Sequence, residues 1–375
     1  MVPTIQIPTG PTLLVLVSGV TSLFIVWMMT RQSDRNKRTA NSYKQIPIEW
    51  KQVGIVTGLH IYPLKAGHGL SVDRAYCEQK GLTQIGKDGV GQLSDRCFIL
   101  FDRVKKKYIT NLDHPRLILV KTVAVDRNLI QFSVHNDNTY IPVTVNMKPV
   151  TSGRGRTVHT IAMYEKDVVH AVDCGDEASQ WFSRYLLGVV DDNIRLGFTS
   201  DEQRKLDGTI YEKYRRFYGD HMSNEDMGKF SYLASYMVMN EKSVNDLNEK
   251  LTLKGETEVS TENFRGNLIL STNQAYEEDA WTWLRINSVI LRVMKPCTRC
   301  RMTTLDPETG RFHPRQEPLA TLRSYRELPS EEARKLDKYS PRLGVYCGLY
   351  VEGTVQVNDT VYAATTGIRD KAVVE

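Results

Sequence analysis

The chain has 375 residues, of which 41% are hydrophobic and 25% are charged, values typical of a globular protein. This length predicts about two domains plus appended segments. The formal net charge of +5 includes no long basic tract in the body of the chain, which argues against a nucleic-acid-binding protein, and six cysteines are too few for a disulfide-stabilised scaffold.

An uncharged apolar run, Leu13–Met29, lies near the N-terminus. Its length is at the short end of the range needed to span a bilayer. No Lys or Arg precedes the run, whereas Arg31 and Arg35 follow it. The positive-inside rule therefore predicts one uncleaved transmembrane helix, with the body of the chain on the cytosolic side. The short length favours a thin membrane, either the endoplasmic reticulum or the outer membrane of an organelle.

The first half of the ordered chain is predicted to be mainly β-structure. Alternating or continuous apolar residues predict strands in four segments: 53–61, 97–101, 117–125 and 129–134. Pro63 ends the first strand and leaves Lys65 at its exit. After these strands, apolar residues at helical spacing from Ala178 predict a helix, with Gly188 as its C-cap.

The second half of the chain alternates strands with short helices. Residues 190–230 are polar and predict a surface excursion between two domains. Strands are predicted over 231–239, 264–270, 289–294, 344–351 and 354–362, the last two as a terminal hairpin. Helices are predicted after a capping box at Ser243 and Asp246, over Pro318–Arg326 and over Ser330–Asp337.

The predicted organisation is an anchor and tether over residues 1–50, a β-barrel-like domain over 51–175 and a second domain over 176–375. The second domain is expected to be a closed or nearly closed β-barrel with helical insertions. The fold class is therefore mainly β with α insertions, preceded by one transmembrane helix.

The segment Pro296–Gly310 contains Cys297 and Cys300 at C-x-x-C spacing, with Arg299 and Arg301 on either side of the second cysteine. Neighbouring cations lower the pKa of a thiol, which makes Cys300 the better candidate for a reactive or metal-binding thiolate. Structural zinc would need two further ligands, and a thioredoxin-like dithiol would need a following helix. Those two interpretations, a buried structural pair and a soft metal centre at Cys300 all remain open at this point.

The cysteine segment resembles the MOSC (molybdenum-cofactor sulfurase C-terminal) superfamily. Four other motifs contribute to the resemblance: Ile61–Lys65 (IYPLK), Ser94–Phe98 (SDRCF), Asn263–Ile269 (NFRGNLI) and Tyr276–Trp281 (YEEDAW). The first two are similar to the β-barrel domain that precedes MOSC in two-domain members. An N-terminal anchor on this pair of domains is similar to the amidoxime-reducing branch of the superfamily, which is mitochondrial. The resemblance covers residues 50–365.

The resemblance implies a molybdenum cofactor (Mo-molybdopterin) held where both domains contribute residues. Cys300 is expected to be the metal ligand and catalytic residue, and the cationic side chains are expected to bind the cofactor's phosphate. The full expected binding set is Lys65, Ala66, Arg96, Ser231, Tyr232, Leu233, Arg265, Asn267, Thr298, Arg299, Cys300 and Tyr346. Cys297 has no assigned role.

The chain departs from the family pattern at two places. Ala66 stands where relatives have a small hydroxyl residue, and Ser231-Tyr232-Leu233 stands where they have a Ser-Asp-Thr-like triplet. The second change removes a carboxylate near the expected substrate face. The cofactor expectation is unaffected, whereas the substrate expectation is weaker.

The expected activity is the reduction of N-hydroxylated substrates such as amidoximes, hydroxylamines and hydroxamic acids. The resemblance implies cytochrome b5 and its NADH-dependent reductase as electron donors, with all three proteins on one membrane, most consistent with the mitochondrial outer membrane. The alternatives are a molybdenum-cofactor-binding or sulfur-carrier module without reductase activity, and a membrane-tethered zinc adaptor.

Overall fold

The computed structural model describes residues 46–86, 91–152, 155–164, 167–199, 208–223 and 226–365. The anchor predicted over Leu13–Met29 lies outside these residues. Within the described ranges, no helix is both long enough and apolar enough to cross a membrane.

The described part of the chain consists mainly of β-strands, with short helices between them. In chain order the strands are β1 (Lys51–Ile61), β2 (Leu70–Ser71), β3 (Arg74–Glu78), β4 (Gly81–Ile85), β5 (Gly91–Ser94), β6 (Phe98–Asp102), β7 (Lys107–Tyr108), β8 (Val120–Ala124), β9 (Leu129–Val134), β10 (Val143–Asn146), β11 (Val158–Ala162), β12 (Val168–Asp173), β13 (Ile194–Thr199), β14 (Tyr236–Asn240), β15 (Leu268–Thr272), β16 (Trp283–Ile286), β17 (Val289–Thr298), β18 (Arg342–Val351), β19 (Gly353–Gln356) and β20 (Thr360–Ala364). The α-helices are α1 (Met147–Ser152), α2 (Asp176–Leu187), α3 (Gly208–Tyr218), α4 (Glu241–Leu253), α5 (Leu319–Arg323) and α6 (Glu331–Leu336). One-turn 3-10 helices are present at Pro115–Leu119, Gly219–His221, Thr261–Phe264, Glu277–Ala280 and Arg301–Thr304.

The larger barrel is a ring of strands in the order β15-β14-β18-β17-β16-β20-β1, which closes because β1 also pairs with β15. Its interior is filled by buried apolar side chains, among them Val56, Leu59, Leu284, Leu291 and Val345. The expected second barrel is therefore confirmed. It includes β1, the first strand of the described chain, as well as the C-terminal strands.

The smaller barrel is closed by β11, β12, β13, β6 and β7. Beside it lies the three-stranded sheet β10-β9-β8. Side chains of this sheet, of β6 and of α2 share one apolar cluster, to which α2 contributes Phe182 and Tyr185. The predicted C-cap of α2 is confirmed, because Gly188 adopts φ 76° and its N–H donates to the carbonyl of Arg184. A left-handed residue at this position is where glycine is favoured.

The exit of β1 in the larger barrel lies against the segment that leads into β6, the first strand of the smaller barrel in chain order. The N–H groups of Lys65 and Phe98 donate to the carbonyls of Phe98 and Pro63 at 2.8 and 2.9 Å, and the N–H of Arg96 donates to the carbonyl of Tyr62 at 2.8 Å. These bonds align the strand exit with the segment that enters β6. Lys65 and Arg96 are thereby held at the junction of the two barrels.

Some predictions in the first half of the chain are wrong in detail. The strand expected over 117–125 begins only at Val120, because Pro115 starts a 3-10 turn whose Leu117 and Ile118 are buried. The surface excursion expected over 190–230 contains β13 and α3. Its polar composition concealed β13, since the buried Arg195 pairs with Asp173 at 2.7 Å. The strand pairing does not follow the expected division at residue 175, because β13 lies in the smaller barrel and β1 in the larger.

Boundaries in the second half also differ. The strand expected from residue 264 begins at Leu268, because Arg265 has a left-handed backbone conformation. Asn240, and not Ser243, caps α4, and its side chain accepts the N–H of Lys242. The terminal hairpin is absent from the described sheets: β19 pairs with β3, and β20 pairs with β1 and β16. Alternation predicts which side of a strand is buried but does not identify the neighbouring strand.

Replacement of Leu59 by Ala tests whether β1 completes the larger barrel. Leu59→Ala should lower the free energy of unfolding by about 3 kcal/mol, because the truncated side chain leaves a cavity in the core. Leu253→Ala, at a side chain that is 88% exposed, should change it by less than about 0.5 kcal/mol. Urea denaturation of the two variants checks this, and equal effects would contradict the position of β1.

Candidate functional site

A cavity of about 530 Å³ lies where the two barrels meet. Eleven of the twelve residues in the expected binding set line it: Lys65, Ala66, Arg96, Ser231, Tyr232, Arg265, Asn267, Thr298, Arg299, Cys300 and Tyr346. They come from segments as distant in the chain as the exit of β1 and the middle of β18. The volume lies in the range typical of cofactor and substrate pockets.

Leu233 is the member of the set that does not line the cavity. Its side chain is fully buried in a separate apolar cluster with Met222 and Met294. The residue after it, Ala234, lines the cavity instead. Leu233 therefore packs behind the wall that Ser231 and Tyr232 form.

A buried carboxylate, Asp95, organises the cationic side of the cavity. One of its oxygens accepts the N–H of Tyr62 at 2.9 Å and the side-chain amide of Asn267 at 3.0 Å. The other oxygen pairs with the guanidinium of Arg96. Because Tyr62 follows β1, Arg96 precedes β6 and Asn267 precedes β15, one side chain that is 2% exposed connects both barrels.

Two guanidinium groups contact the ring of Tyr62, with Arg96 at 4.7 Å and Arg265 at 4.2 Å from the ring centre. Burial opposes the charge of Arg96, but the neighbouring Asp95 carboxylate offsets this, so that the pKa of Arg96 is raised. Burial and then the charge of Arg96 lower the pKa of Arg265 to about 10. Both side chains are therefore cationic at neutral pH.

Arg265 differs from Arg96 in having no acidic partner within hydrogen-bond distance among the described residues. One of its terminal nitrogens, Nη1, donates to the carbonyl of Gly67 at 2.7 Å. The other, Nη2, is buried and makes no hydrogen bond to the described protein. A buried cationic donor without an acceptor is costly, so this position favours an anionic ligand.

Four of the lining residues have left-handed backbone conformations: Ala66 with φ 70°, Arg96 with φ 47°, Arg265 with φ 58° and Lys338 with φ 55°. Such conformations are uncommon for residues other than glycine and cost of order 1–2 kcal/mol each. Strained residues of this kind cluster at binding sites, where the surrounding structure holds them. Their concentration around one cavity supports a binding role for this junction.

Part of the cavity lining is aromatic. The Lys65 ammonium donates to the hydroxyl of Tyr164 at 2.8 Å and to the carbonyl of Phe230 at 2.7 Å. The ring of Tyr164 meets that of Tyr232 edge to face, with centroids 4.7 Å apart. These contacts fix the ammonium group of Lys65 at the cavity wall.

The structure separates the two cysteines of the C-x-x-C segment. Cys300 is exposed at the cavity, whereas Cys297 and the other four cysteines are buried. Burial, and then the neighbouring Cys297, raise the pKa of Tyr346. Accessibility therefore distinguishes Cys300, and it excludes the interpretation of both cysteines as a buried pair.

The flanking arginines do not interact with Cys300 in the way expected from sequence. The guanidinium of Arg299 donates to the carbonyls of Leu343 at 2.8 Å and Phe264 at 2.9 Å. That of Arg301 lies over the ring of Phe312, 4.6 Å from its centre. Cys300 is followed by a single 3-10 turn, and so the segment lacks the helix that a thioredoxin-like dithiol requires. In the described part of the chain, no third metal-binding side chain is grouped with the two cysteines.

A second buried carboxylate, Asp337, holds the C-terminal end of β17, the strand that leads to Cys300. It accepts hydrogen bonds from Lys295 at 3.0 Å, Thr298 at 3.2 Å and Tyr214 at 3.1 Å. Burial lowers the pKa of Lys295, and the Asp337 charge opposes that effect. Because Thr298 is two residues before Cys300, this network fixes the segment that presents the exposed thiol.

Sequence reasoning missed several lining residues, among them Lys213 and Lys338. With these two, six cationic residues line the cavity (Lys65, Arg96, Lys213, Arg265, Arg299 and Lys338), whereas Asp337 is the only acidic residue among the described ones there. Tyr108 and Tyr164 were missed as well. Their sequence neighbourhoods are polar and without a motif, and only the folding of α3 and of the turn after α6 onto the barrels brings Lys213 and Lys338 to the cavity.

Comparison with known proteins identifies the class of protein. Residues 53–188 match the family model described as "MOSC N-terminal beta barrel domain", and residues 225–362 match the one described as "MOSC domain". The two barrels and the cavity between them therefore define a two-domain MOSC protein.

Curated relatives give the family within that class. The chain is 34% identical over 318 residues to "Mitochondrial amidoxime reducing component 2" of Macaca fascicularis, covering 83% of this chain and 84% of that protein. It is 33% identical to "Mitochondrial amidoxime-reducing component 1" of Mus musculus over 314 residues and 31% identical to the Homo sapiens protein of that name over the same length, with 83% of each chain covered. The chain belongs to the family of the mitochondrial amidoxime-reducing components.

The Asp337–Lys295 pair gives a test of the hydrogen-bond network around Asp337 at the end of β17. Asp337→Asn should lower the free energy of unfolding by about 3 kcal/mol, because it leaves the buried Lys295 charge without its partner. The double variant Lys295→Met/Asp337→Asn should be more stable than Asp337→Asn alone, since the amide still accepts the hydroxyl groups and no buried charge remains. Urea denaturation measures both variants. A double variant that is no more stable than the single one would contradict the network.

Proposed function

We propose that this protein is a molybdenum-cofactor-dependent reductase that converts N-hydroxylated compounds, such as amidoximes, hydroxylamines and hydroxamic acids, to the corresponding N–H compounds. The proposal rests on one observation above all. The junction cavity combines an excess of cations, including the buried Nη2 of Arg265 that has no acceptor, with the exposed thiol of Cys300. The names of the relatives supply the class of reaction.

The donor set fits an anionic group that carries a soft metal. Lys65, Arg96 and Arg265 are suited to a phosphate, since charge-assisted hydrogen bonds to phosphate are strong and the planar guanidinium can bind two oxygens at once. Arg265 has a free buried donor for this purpose. Thiolate sulfur is a ligand for soft metal centres, and Cys300 is the accessible cysteine at the cavity.

In this proposal the chain's own residues provide binding, orientation and electrostatics. Arg96 and Arg265 hold the anionic end of the cofactor, Asn267 keeps Arg96 and Asp95 in place, and Cys300 ligates the metal. When bound, the cofactor supplies the two-electron chemistry that removes oxygen from the substrate nitrogen. Asp337 holds Thr298 by a hydrogen bond, and Lys295 neutralises the charge of this carboxylate. The cavity therefore keeps its excess of positive charge.

The aromatic side of the cavity is the proposed substrate side. Tyr164 and Tyr232 meet edge to face, and together they offer a rigid apolar surface against which a planar amidoxime or hydroxamic acid can pack. Tyr232 is 39% exposed and therefore accessible to a substrate. The proposed roles of Ser231 and Tyr346 are to complete the walls on either side.

Electrons are proposed to come from cytochrome b5 and its NADH-dependent reductase. The chain contains no recognisable nucleotide-binding or haem-binding motif, so a reductase of this kind requires an external donor. The proposed location is the mitochondrial outer membrane, with residues 13–29 as the anchor and the body facing the cytosol. An anchor shared with the donors raises their effective concentration.

Replacement of Cys300 tests the proposal directly. Cys300→Ser should reduce amidoxime reduction, assayed with cytochrome b5 and its reductase, at least about 100-fold, since loss of a metal ligand exceeds the effect of losing a supporting contact. The thermal midpoint of the cofactor-free protein should not change, because Cys300 is exposed. Full activity and full molybdenum content in Cys300→Ser would refute the assignment. Molybdenum in the wild-type protein without any amidoxime reduction would instead indicate a cofactor-binding or sulfur-carrier module.

A pair of arginine variants tests the anion site separately from catalysis. Arg265→Gln should decrease the pterin that copurifies with the protein by about 10- to 100-fold, because it removes a charge-assisted hydrogen bond worth about 1.5–3 kcal/mol. Arg301→Gln is the matched control, since Arg301 is exposed and stacks on Phe312 outside the cavity. Fluorescence of the extracted, oxidised pterin measures the content. Equal retention in both variants would contradict the role of Arg265.

A further inference from the structure

Two histidines and a glutamate from three separate segments meet beside the junction. His68 lies between β1 and β2, His135 follows β9, and Glu308 lies in the turn at the end of the cysteine segment. One side-chain ligand atom from each lies within 4.8 Å of the others. Nε2 of His135 is 2.7 Å from a carboxylate oxygen of Glu308.

Protein contacts leave this cluster incompletely satisfied. The Nδ1 atoms of His68 and His135 are both buried without a hydrogen-bond partner among the described residues. The two rings stack with centroids 4.4 Å apart and planes inclined by 22°. A simple His135–Glu308 ion pair uses neither of these nitrogens, and buried polar atoms are normally hydrogen-bonded.

A second carboxylate lies near the cluster, because the half-buried Glu262 is close to both Glu308 and His135. Two imidazoles and two neighbouring carboxylates form the kind of environment in which a divalent cation is favoured.

We propose that His68, His135 and Glu308 form a binding site for a divalent first-row transition ion, with zinc as the expected occupant. Imidazole nitrogen together with a carboxylate oxygen is a ligand set that zinc uses in proteins, and it leaves a fourth position open. Tetrahedral bonds of about 2.1 Å require ligand atoms about 3.4 Å apart. The ligand atoms of the cluster, which lie within 4.8 Å of one another, would have to approach to this spacing when an ion binds.

The site would join two parts of the molecule that also shape the cavity. Glu308 belongs to the turn that follows Cys300, whereas His68 and His135 belong to segments beside the smaller barrel. His68 is adjacent to Gly67, whose carbonyl accepts the hydrogen bond from Arg265. A bound ion would therefore restrain both the cysteine segment and Arg265. This inference concerns a second metal and does not depend on the proposed reductase activity.

Zinc binding to the full-length protein, after removal of loosely bound metal with a chelator, tests the site by isothermal titration calorimetry. One zinc ion per chain is expected. His135→Ala and Glu308→Gln should each weaken binding at least about tenfold, since each removes a ligand. His170→Ala is the matched control because His170 lies in β12 and contacts Thr160, and it should bind zinc like the wild type.

The cysteine segment must be excluded as the source of any zinc signal. Cys300→Ser should retain the zinc stoichiometry and affinity of the wild type. Glu308→Gln is informative even if a histidine variant fails to fold, because the Glu308 side chain is 55% exposed. Failure of zinc to bind, unchanged affinity in Glu308→Gln, or loss of binding in Cys300→Ser would each overturn the proposal.

Discussion

The buried carboxylate of Asp95 is the interaction on which the junction of the two barrels depends. It accepts the backbone N–H of Tyr62, the amide of Asn267 and the guanidinium of Arg96, so that the end of β1, the entry to β6 and the entry to β15 converge on one side chain. A buried charge is tolerated only when several donors compensate it. The same donors therefore determine where the cationic wall of the cavity lies.

The arrangement of charge around this carboxylate gives the cavity its chemical character. Asp95 compensates the charge of Arg96. Arg265, which also contacts the ring of Tyr62, has a buried nitrogen without an acceptor among the described residues. The charge of Asp337, another residue that lines the cavity, is compensated by Lys295. The cavity thus combines ion pairs, which hold its walls, with a buried Arg265 donor that has no acceptor among the described residues and with the exposed thiol of Cys300. That combination supports an anionic cofactor with a soft metal.

Local patterns in the sequence were sufficient for part of this architecture. Alternation predicted β1, and its proline located Lys65, while helical spacing and a terminal glycine predicted α2. The barrel partners were not predictable in this way, because alternation does not identify the strand across a hydrogen-bonded ladder. β13 was missed because Arg195 looks exposed until Asp173 is placed beside it. For the site, the family resemblance identified eleven of the lining residues, but the unpaired Nη2 of Arg265 and the Lys295–Asp337 pair depend on contacts between distant segments of the described chain.

In the proposed function, the junction cavity holds a molybdenum cofactor through Cys300. Anomalous diffraction at the molybdenum edge, from crystals of the protein purified with its cofactor, gives the clearest test of this binding mode. We expect one molybdenum peak per chain, inside the cavity and at bonding distance from the Cys300 sulfur. A peak elsewhere in the molecule, or a molybdenum site without a bond to Cys300, would contradict it.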